Sequence, residues 1–171
     1  LAPPSVIGFP AIPGVTYTAR ALVPEALDFG PQYRALDQSG ILALPPHLLA
    51  SGAYRPLVPK VDADGNETAG VRPTALQVPL GTYTGWNLRR AGHGAGELCG
   101  LSGSFISLAR TKAERDASGD PRLSIAERYG THDGYVAAIR VAAGSLRDAR
   151  LLLPEDADRL IREAETSDVL R

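Results

Sequence analysis

Proline is crowded into one half of this chain: residues 1 to about 90 hold most of the fourteen, at Pro3-Pro4, Pro10, Pro13, Pro24, Pro31, Pro45-Pro46, Pro56, Pro59, Pro73 and Pro79. Each lacks an amide donor and steers the residue before it away from helix, so this half is expected to consist of extended segments and loops with few long regular elements. Such a stretch needs a larger body to pack along. Its clearest element is a hairpin whose arms, Leu57 to Val61 and Glu67 to Arg72, flank Asp62-Ala63-Asp64-Gly65-Asn66. The Asp-Gly pair and the Asn supply residues that tolerate positive φ at the turn.

Past residue 90 the pattern becomes helical. Thr111 to Glu114 and Ser124 to Glu127 both read as capping boxes, in which a hydroxyl and a carboxylate satisfy amide donors reciprocally at a helix start. From about Asp133 to Ala149, Tyr135, Ile139, Ala142, Leu146 and Ala149 recur at three- and four-residue steps and predict one buried helical stripe. Pro154 then suits the first turn of another helix, with Ala157, Leu160, Ile161 and Ala164 as its apolar face. The short Leu-rich connection makes these two an antiparallel pair. Between the halves, Leu80 to Gly103 carries seven glycines without a repeat period and reads as a tightly turned loop region.

The bulk numbers exclude several classes of function. Eighteen Lys plus Arg against nineteen Asp plus Glu give a net charge of -1, so no basic field exists to collect a nucleic acid. A membrane-spanning helix needs about 20 mostly apolar residues, and the apolar runs here stop after a few positions. The lone Cys99 forbids an internal disulfide and reads as a small buried thiol. The compartment stays open, with a periplasmic or secreted setting favoured over the cytoplasm. No methionine occurs among the 171 residues, position 1 included, so the chain that starts at Leu1 is expected to have been cut from a longer translation product.

Candidate sites carry competing readings. Asp62, Asp64 and Asn66 have the alternate spacing of calcium-loop ligands, but Glu67 stands where the loop glycine belongs and Pro73 where a glutamate should close the sphere; a hairpin turn is preferred. Gly100-Leu101-Ser102-Gly103-Ser104 suggests a nucleophile elbow, yet Ser104 replaces the second glycine, and Ala91 to Cys99 is too rich in glycine for the buried strand an elbow follows. A structural turn is preferred there too. Of the three histidines, His47 follows two prolines, His132 lies at a helix start, and His93 between Gly92 and Gly94 is the one whose setting lets backbone approach a ligand. Tyr83 and Trp86 could wall a pocket for an apolar or aromatic substrate, or cover the edge of the core. Tyr83, Trp86 and His93 are the candidate substrate contacts. No metal site and no cofactor are expected, since no Cys/His cluster has zinc spacing and Gly92 to Gly96 leads into Glu97 rather than into the Lys of a phosphate loop.

The runs Val61-Asp62-Ala63-Asp64-Gly65-Asn66-Glu67-Thr68-Ala69-Gly70-Val71-Arg72 and Pro79-Leu80-Gly81-Thr82-Tyr83-Thr84-Gly85-Trp86-Asn87 resemble the C-terminal region of the large bacterial alpha/beta hydrolase domain proteins. Leu101-Ser102-Gly103-Ser104-Phe105, Thr111-Lys112-Ala113-Glu114-Arg115, Gly119-Asp120-Pro121-Arg122-Leu123-Ser124, Glu127-Arg128-Tyr129 and the ending through Leu152-Leu153-Pro154-Glu155-Asp156-Ala157 are similar to that family's tail in order and spacing. The resemblance covers roughly residues 55 to 165. It implies esterase-like chemistry on a doubly wound α/β core, with a serine nucleophile, an acid and a histidine that lie upstream of the matched part. No catalytic residue is therefore carried over onto this chain, and Ser102 and Ser104 fall in the tail motif.

The resulting expectation is a single segment, 1–171, of a larger α/β hydrolase. Within that α/β context the chain itself is mixed α+β, with a Pro-rich extended part at 1–90 and a Gly-rich loop and helices at 91–171. Its expected partners are the remainder of the parent chain and a small-molecule ester. The rival expectation is a noncatalytic interaction module or subunit, which a large exposed apolar patch would favour. A third is an autonomous hydrolase pairing His93 with Ser102 or Ser104.

Overall fold

The computed structural model describes residues 8–15, 25–54, 57–90, 92–95, 97–99 and 102–171. Leu1, Pro3-Pro4, Pro24, Pro56, Gly96, Gly100 and Leu101 lie outside the described residues. Within them the chain is mixed α and β, with five helices and six short strands that pair into three two-stranded antiparallel sheets. No described helix is long and apolar enough to cross a membrane.

The first two sheets come from the Pro-rich part. Strand β1 (Glu25–Asp28) pairs with β4 (His47–Ala53), and between them β2 (Tyr33–Arg34) and β3 (Ser39–Gly40) form a small ribbon. Leu36, Ile41, Leu42, Leu44, Leu48 and Leu49 are all exposed along this stretch. The next segment turns sharply at Asp62–Asn66. The Asp62 amide donates to the Asn66 carbonyl at 2.8 Å, Val61 bridges Glu67, and Gly65 takes a φ of 82°. A side chain at Gly65 is excluded twice over, because its Cβ would also lie 2.9 Å from the Phe9 ring.

Leu80 to Gly103 departs from the loop region that its glycine count suggests only at its start; the described residues from Gly85 on are turns and bends with one isolated bridge, Leu88 to Leu98. Gly81–Thr84 forms β5, which pairs with β6 (Ser104–Ser107) in the register Gly81↔Ser107, Thr82↔Ile106, Tyr83↔Phe105 and Thr84↔Ser104. Thr82, Tyr83 and Thr84 are β-branched or aromatic and favour a pleated surface. Gly81 is required by close approach rather than by turning, since a Cβ there would meet Phe105 at 2.4 Å. On the other side of β5 stands the wholly buried Asn66. Its amide donates to the Gly81 carbonyl at 3.1 Å, and its oxygen accepts from the Tyr83 amide at 2.8 Å, as one residue of a neighbouring strand would.

The helices follow from their caps. Thr111 and Ser124 each complete a capping box, with Glu114 and Glu127, at the starts of two short helices that follow a one-turn helix α1 (Thr74–Gln77): α2 (Lys112–Ser118) and α3 (Ile125–Tyr129). Helix α4 (His132–Asp148) buries Tyr135, Val136, Ile139, Ala142, Ala143 and Leu146, and α5 (Pro154–Thr166) buries Ala157 and Ala164. The two run antiparallel: the His132 ring at the start of α4 meets the carbonyls of Val169, at 2.8 Å, and Glu165, at 3.2 Å, at the far end of α5. Val78 and Leu80, leading into β5, pack on this pair together with Tyr129. The Tyr129 hydroxyl donates to the Pro79 carbonyl at 2.8 Å, and burial pushes its pKa up to about 12.

One side chain joins β5, β6 and the approach to α3. Arg122 is 3% exposed, and all five of its guanidinium N–H groups have acceptors. Nε faces the Asp120 carboxylate at 3.0 Å; Nη1 donates to the Thr82 hydroxyl at 2.8 Å and the Ile106 carbonyl at 2.9 Å; Nη2 donates to the Ser107 carbonyl at 3.0 Å and to Asp120 at 2.6 Å. Thr82 passes the chain of bonds on by donating to the Asp64 carbonyl, and the Asp64 carboxylate pairs with Arg128 on α3. Hydrogen bonding from Arg122 holds the Asp120 carboxyl below its usual range despite the opposing cost of desolvation.

Removing one member of a buried ion pair strands the other, at a cost of about 3–5 kcal/mol. Asp120→Ala is therefore expected to lower the urea midpoint markedly at pH 7. Because the folded-state pKa is depressed, the stabilisation is present above the unfolded carboxylate pKa of about 3.9 and is lost as pH falls through the lower folded value. Urea titrations of the wild type and the variant should converge in that acid range; a gap that persists there would rule the linkage out.

Candidate functional site

A cavity of about 290 Å³ opens beside the end of β5. The Asp62–Asn66 hairpin contributes Val58, Pro59, Val61 and Glu67 to its lining, and β5 with the turn after it contributes Tyr83, Thr84, Gly85 and Trp86. Phe9 closes it from the N-terminal segment, its ring 5.5 Å from that of Trp86 in an edge-on arrangement. Leu98 enters from a second narrow hairpin, in which Leu88 bridges Leu98, the Arg89 amide donates to the Glu97 carbonyl at 2.9 Å, and the Cys99 amide donates to the Asn87 carbonyl at 2.8 Å. Apolar walls with few polar groups are the usual make-up of a small-molecule pocket.

The structure brings Tyr83 and Trp86 together on this cavity and sets His93 apart. Tyr83 is not on a flexible loop but on β5, with its ring 4.9 Å from that of Phe105 and partly buried, which raises the pKa of its phenol. The same ring also lines a second, smaller hollow with Val78, Leu80 and Tyr135. His93 is exposed near the tip of the second hairpin, where its amide donates to the Arg90 carbonyl at 3.1 Å, and it is not part of the cavity lining.

Among the described residues no hydroxyl stands within hydrogen-bond distance of an imidazole. Ser104 lies in β6 with its Oγ 2.6 Å from that of Thr84 and 3.3 Å from the Trp86 carbonyl, a closed cluster that leaves no nucleophile poised. Ser102 is exposed. The pairing of His93 with Ser102 or Ser104 is thus not formed. Asp62 and Asp64 are occupied as well: Asp62 accepts from the amides of Asp64 and Asn66, each at 3.0 Å, and pairs with Arg72 at 2.8 Å, while Asp64 pairs with Arg128. Cys99 is a free, half-buried thiol.

A cleft of about 330 Å³ between the start of α4 and the end of α5 is a weaker candidate. It is lined by His132, Asp133, Arg140, Glu165 and Arg171, but Arg140 pairs with Glu165, and Arg171 donates to the Glu165 carbonyl, so these three already engage one another.

Sequence reasoning missed Val58, Val61, Glu67, Leu98 and Phe9. Their convergence depends on Asn66 docking the hairpin onto β5 and on Gly65 admitting the Phe9 ring, and neither contact leaves a local pattern. Residues 28–162 match the alpha/beta hydrolase domain family. Comparison with curated proteins and with solved structures returns no match.

Asn66→Ala removes the group that mimics a strand and leaves the Gly81 carbonyl and Tyr83 amide without their partner, at about 1–3 kcal/mol each. The expected outcome is a lower urea midpoint together with a red shift of Trp86 emission, as the cavity wall loosens and water reaches the single tryptophan of the chain. Unchanged emission would show that the wall does not depend on this dock.

Proposed function

Because the chain belongs to the alpha/beta hydrolase domain family, we propose that it serves as the C-terminal portion of a serine-type carboxylic ester hydrolase, shaping the substrate pocket while the nucleophile is supplied elsewhere. The observation that carries this reading is the cavity walled by Tyr83 and Trp86, an apolar recess in a chain whose described serines and histidines do not pair into a catalytic group. Tyr83 and Trp86 form its wall. His93, on the hairpin that lends Leu98 to the lining but outside the lining itself, is the third proposed substrate contact.

In the complete enzyme a serine attacks the ester carbonyl, a histidine moves the proton from nucleophile to leaving group, and backbone amides hold the oxyanion. The part played here is to bind and orient the ester's apolar portion so that its carbonyl meets that machinery, a contribution of position rather than of bond-making. The exposed leucines and isoleucine between Leu36 and Leu49 support a covering partner, which in this reading is the remainder of the parent chain.

The same leucines favour a second reading, a noncatalytic interaction module. Reaction with aryl esters and with a serine-directed fluorophosphonate separates the two. This chain alone is expected to give no turnover above the uncatalysed rate and no label, whereas a longer polypeptide that includes upstream sequence gives both. Labelling of Ser102 or Ser104 in this chain would overturn the division of labour, and an inert longer polypeptide would leave the interaction module as the better account.

A further inference from the structure

Among the described residues, three aromatic rings, Phe9, Tyr83 and Trp86, and one carboxylate, Glu67, line the cavity, and no other described residue of the lining is charged at neutral pH. Glu67 makes no ion pair and no side-chain hydrogen bond among the described residues, in contrast to Asp62 and Asp64 of the same hairpin, which are taken by Arg72 and Arg128. Its backbone is fixed by the bridge to Val61, which places the residue on the cavity. Lys60 on the facing arm is exposed and outside the lining, and so are Arg89 and Arg90 of the second hairpin.

We infer that this cavity selects for positive charge, accepting an alkylammonium-bearing part of the substrate and rejecting a carboxylate, with Glu67 as the specificity-determining residue. The inference rests on the pocket reading above and adds the substrate class. Two effects act in the same direction. Ring faces attract a cation through their quadrupoles, the tryptophan face most strongly. An anion a few ångströms away at a partly exposed site changes the affinity for a charged ligand several-fold, and more where water is excluded. The phenol of Tyr83, whose pKa is raised, stays neutral and adds no competing charge.

The single tryptophan makes the test direct, because any quenching on titration reports on Trp86. The probes are 4-phenylbutylamine in its ammonium form, 4-phenylbutanol and 4-phenylbutanoate, which share a ring and a chain length and differ in charge. The expected order of affinity is ammonium, alcohol, carboxylate, with about a tenfold gap between the two ends at low salt. Glu67→Gln, an exposed and nearly isosteric change, should shrink that gap to within about twofold to threefold and leave the alcohol unaffected, and 0.5 M salt should narrow it in the wild type. Equal affinities in the wild type, or a gap that survives Glu67→Gln, would overturn the inference while leaving the pocket standing. If none of the three binds, the pocket reading falls and the inference falls with it.

Discussion

The buried guanidinium of Arg122 is the interaction on which the remaining architecture depends. A sheet of two strands has too little hydrophobic area to hold itself together. Here the second layer is supplied by one side chain that reaches the Thr82 hydroxyl on β5, the carbonyls of Ile106 and Ser107 on β6, and Asp120 before α3. Burial of the charge is tolerated because every donor is matched and the carboxylate beside it is itself nearly enclosed. The bonds continue through Thr82 to the Asp64 backbone and from the Asp64 carboxylate to Arg128, so the turn, both strands and α3 are fixed as one frame.

The cavity is a by-product of that frame. The hairpin is set against β5 through Asn66, and the Gly65 turn brings the Phe9 ring beside Trp86. Side chains then face one another across a gap whose width is decided by backbone positions rather than by their own packing. A recess whose walls are placed by the backbone needs little rearrangement to receive a ligand, as the proposed role of orienting an ester requires.

Local signals were readable wherever the physics is local. The capping boxes at Thr111 and Ser124, the buried stripe of Tyr135, Ile139, Ala142 and Leu146, and Pro154 at a helix start are all properties of a few consecutive residues, whereas Ala149, expected on the same stripe, is exposed at the cap just past the helix. The strand at the start of the glycine-dense stretch was hidden because glycine serves two purposes: at Gly65 it permits a positive φ, whereas at Gly81, paired with Ser107, it makes room for the ring of Phe105 on the facing strand. Composition does not distinguish these. Tyr83 and Trp86 could be singled out as rings near one another in sequence, but Glu67 and Leu98 are neighbours of those rings only in space.

Asn66 and Arg122 have a further consequence for how the molecule behaves in a crowded solution. An unpaired strand edge invites another chain to add to it, and a ribbon of two strands has two such edges. On β5 the Gly81 carbonyl and the Tyr83 amide are held by the Asn66 side chain, and on β6 the Ile106 and Ser107 carbonyls are held by Arg122. Part of each strand's backbone is thus already engaged by side chains of this same chain, which leaves fewer free groups for an added strand to pair with.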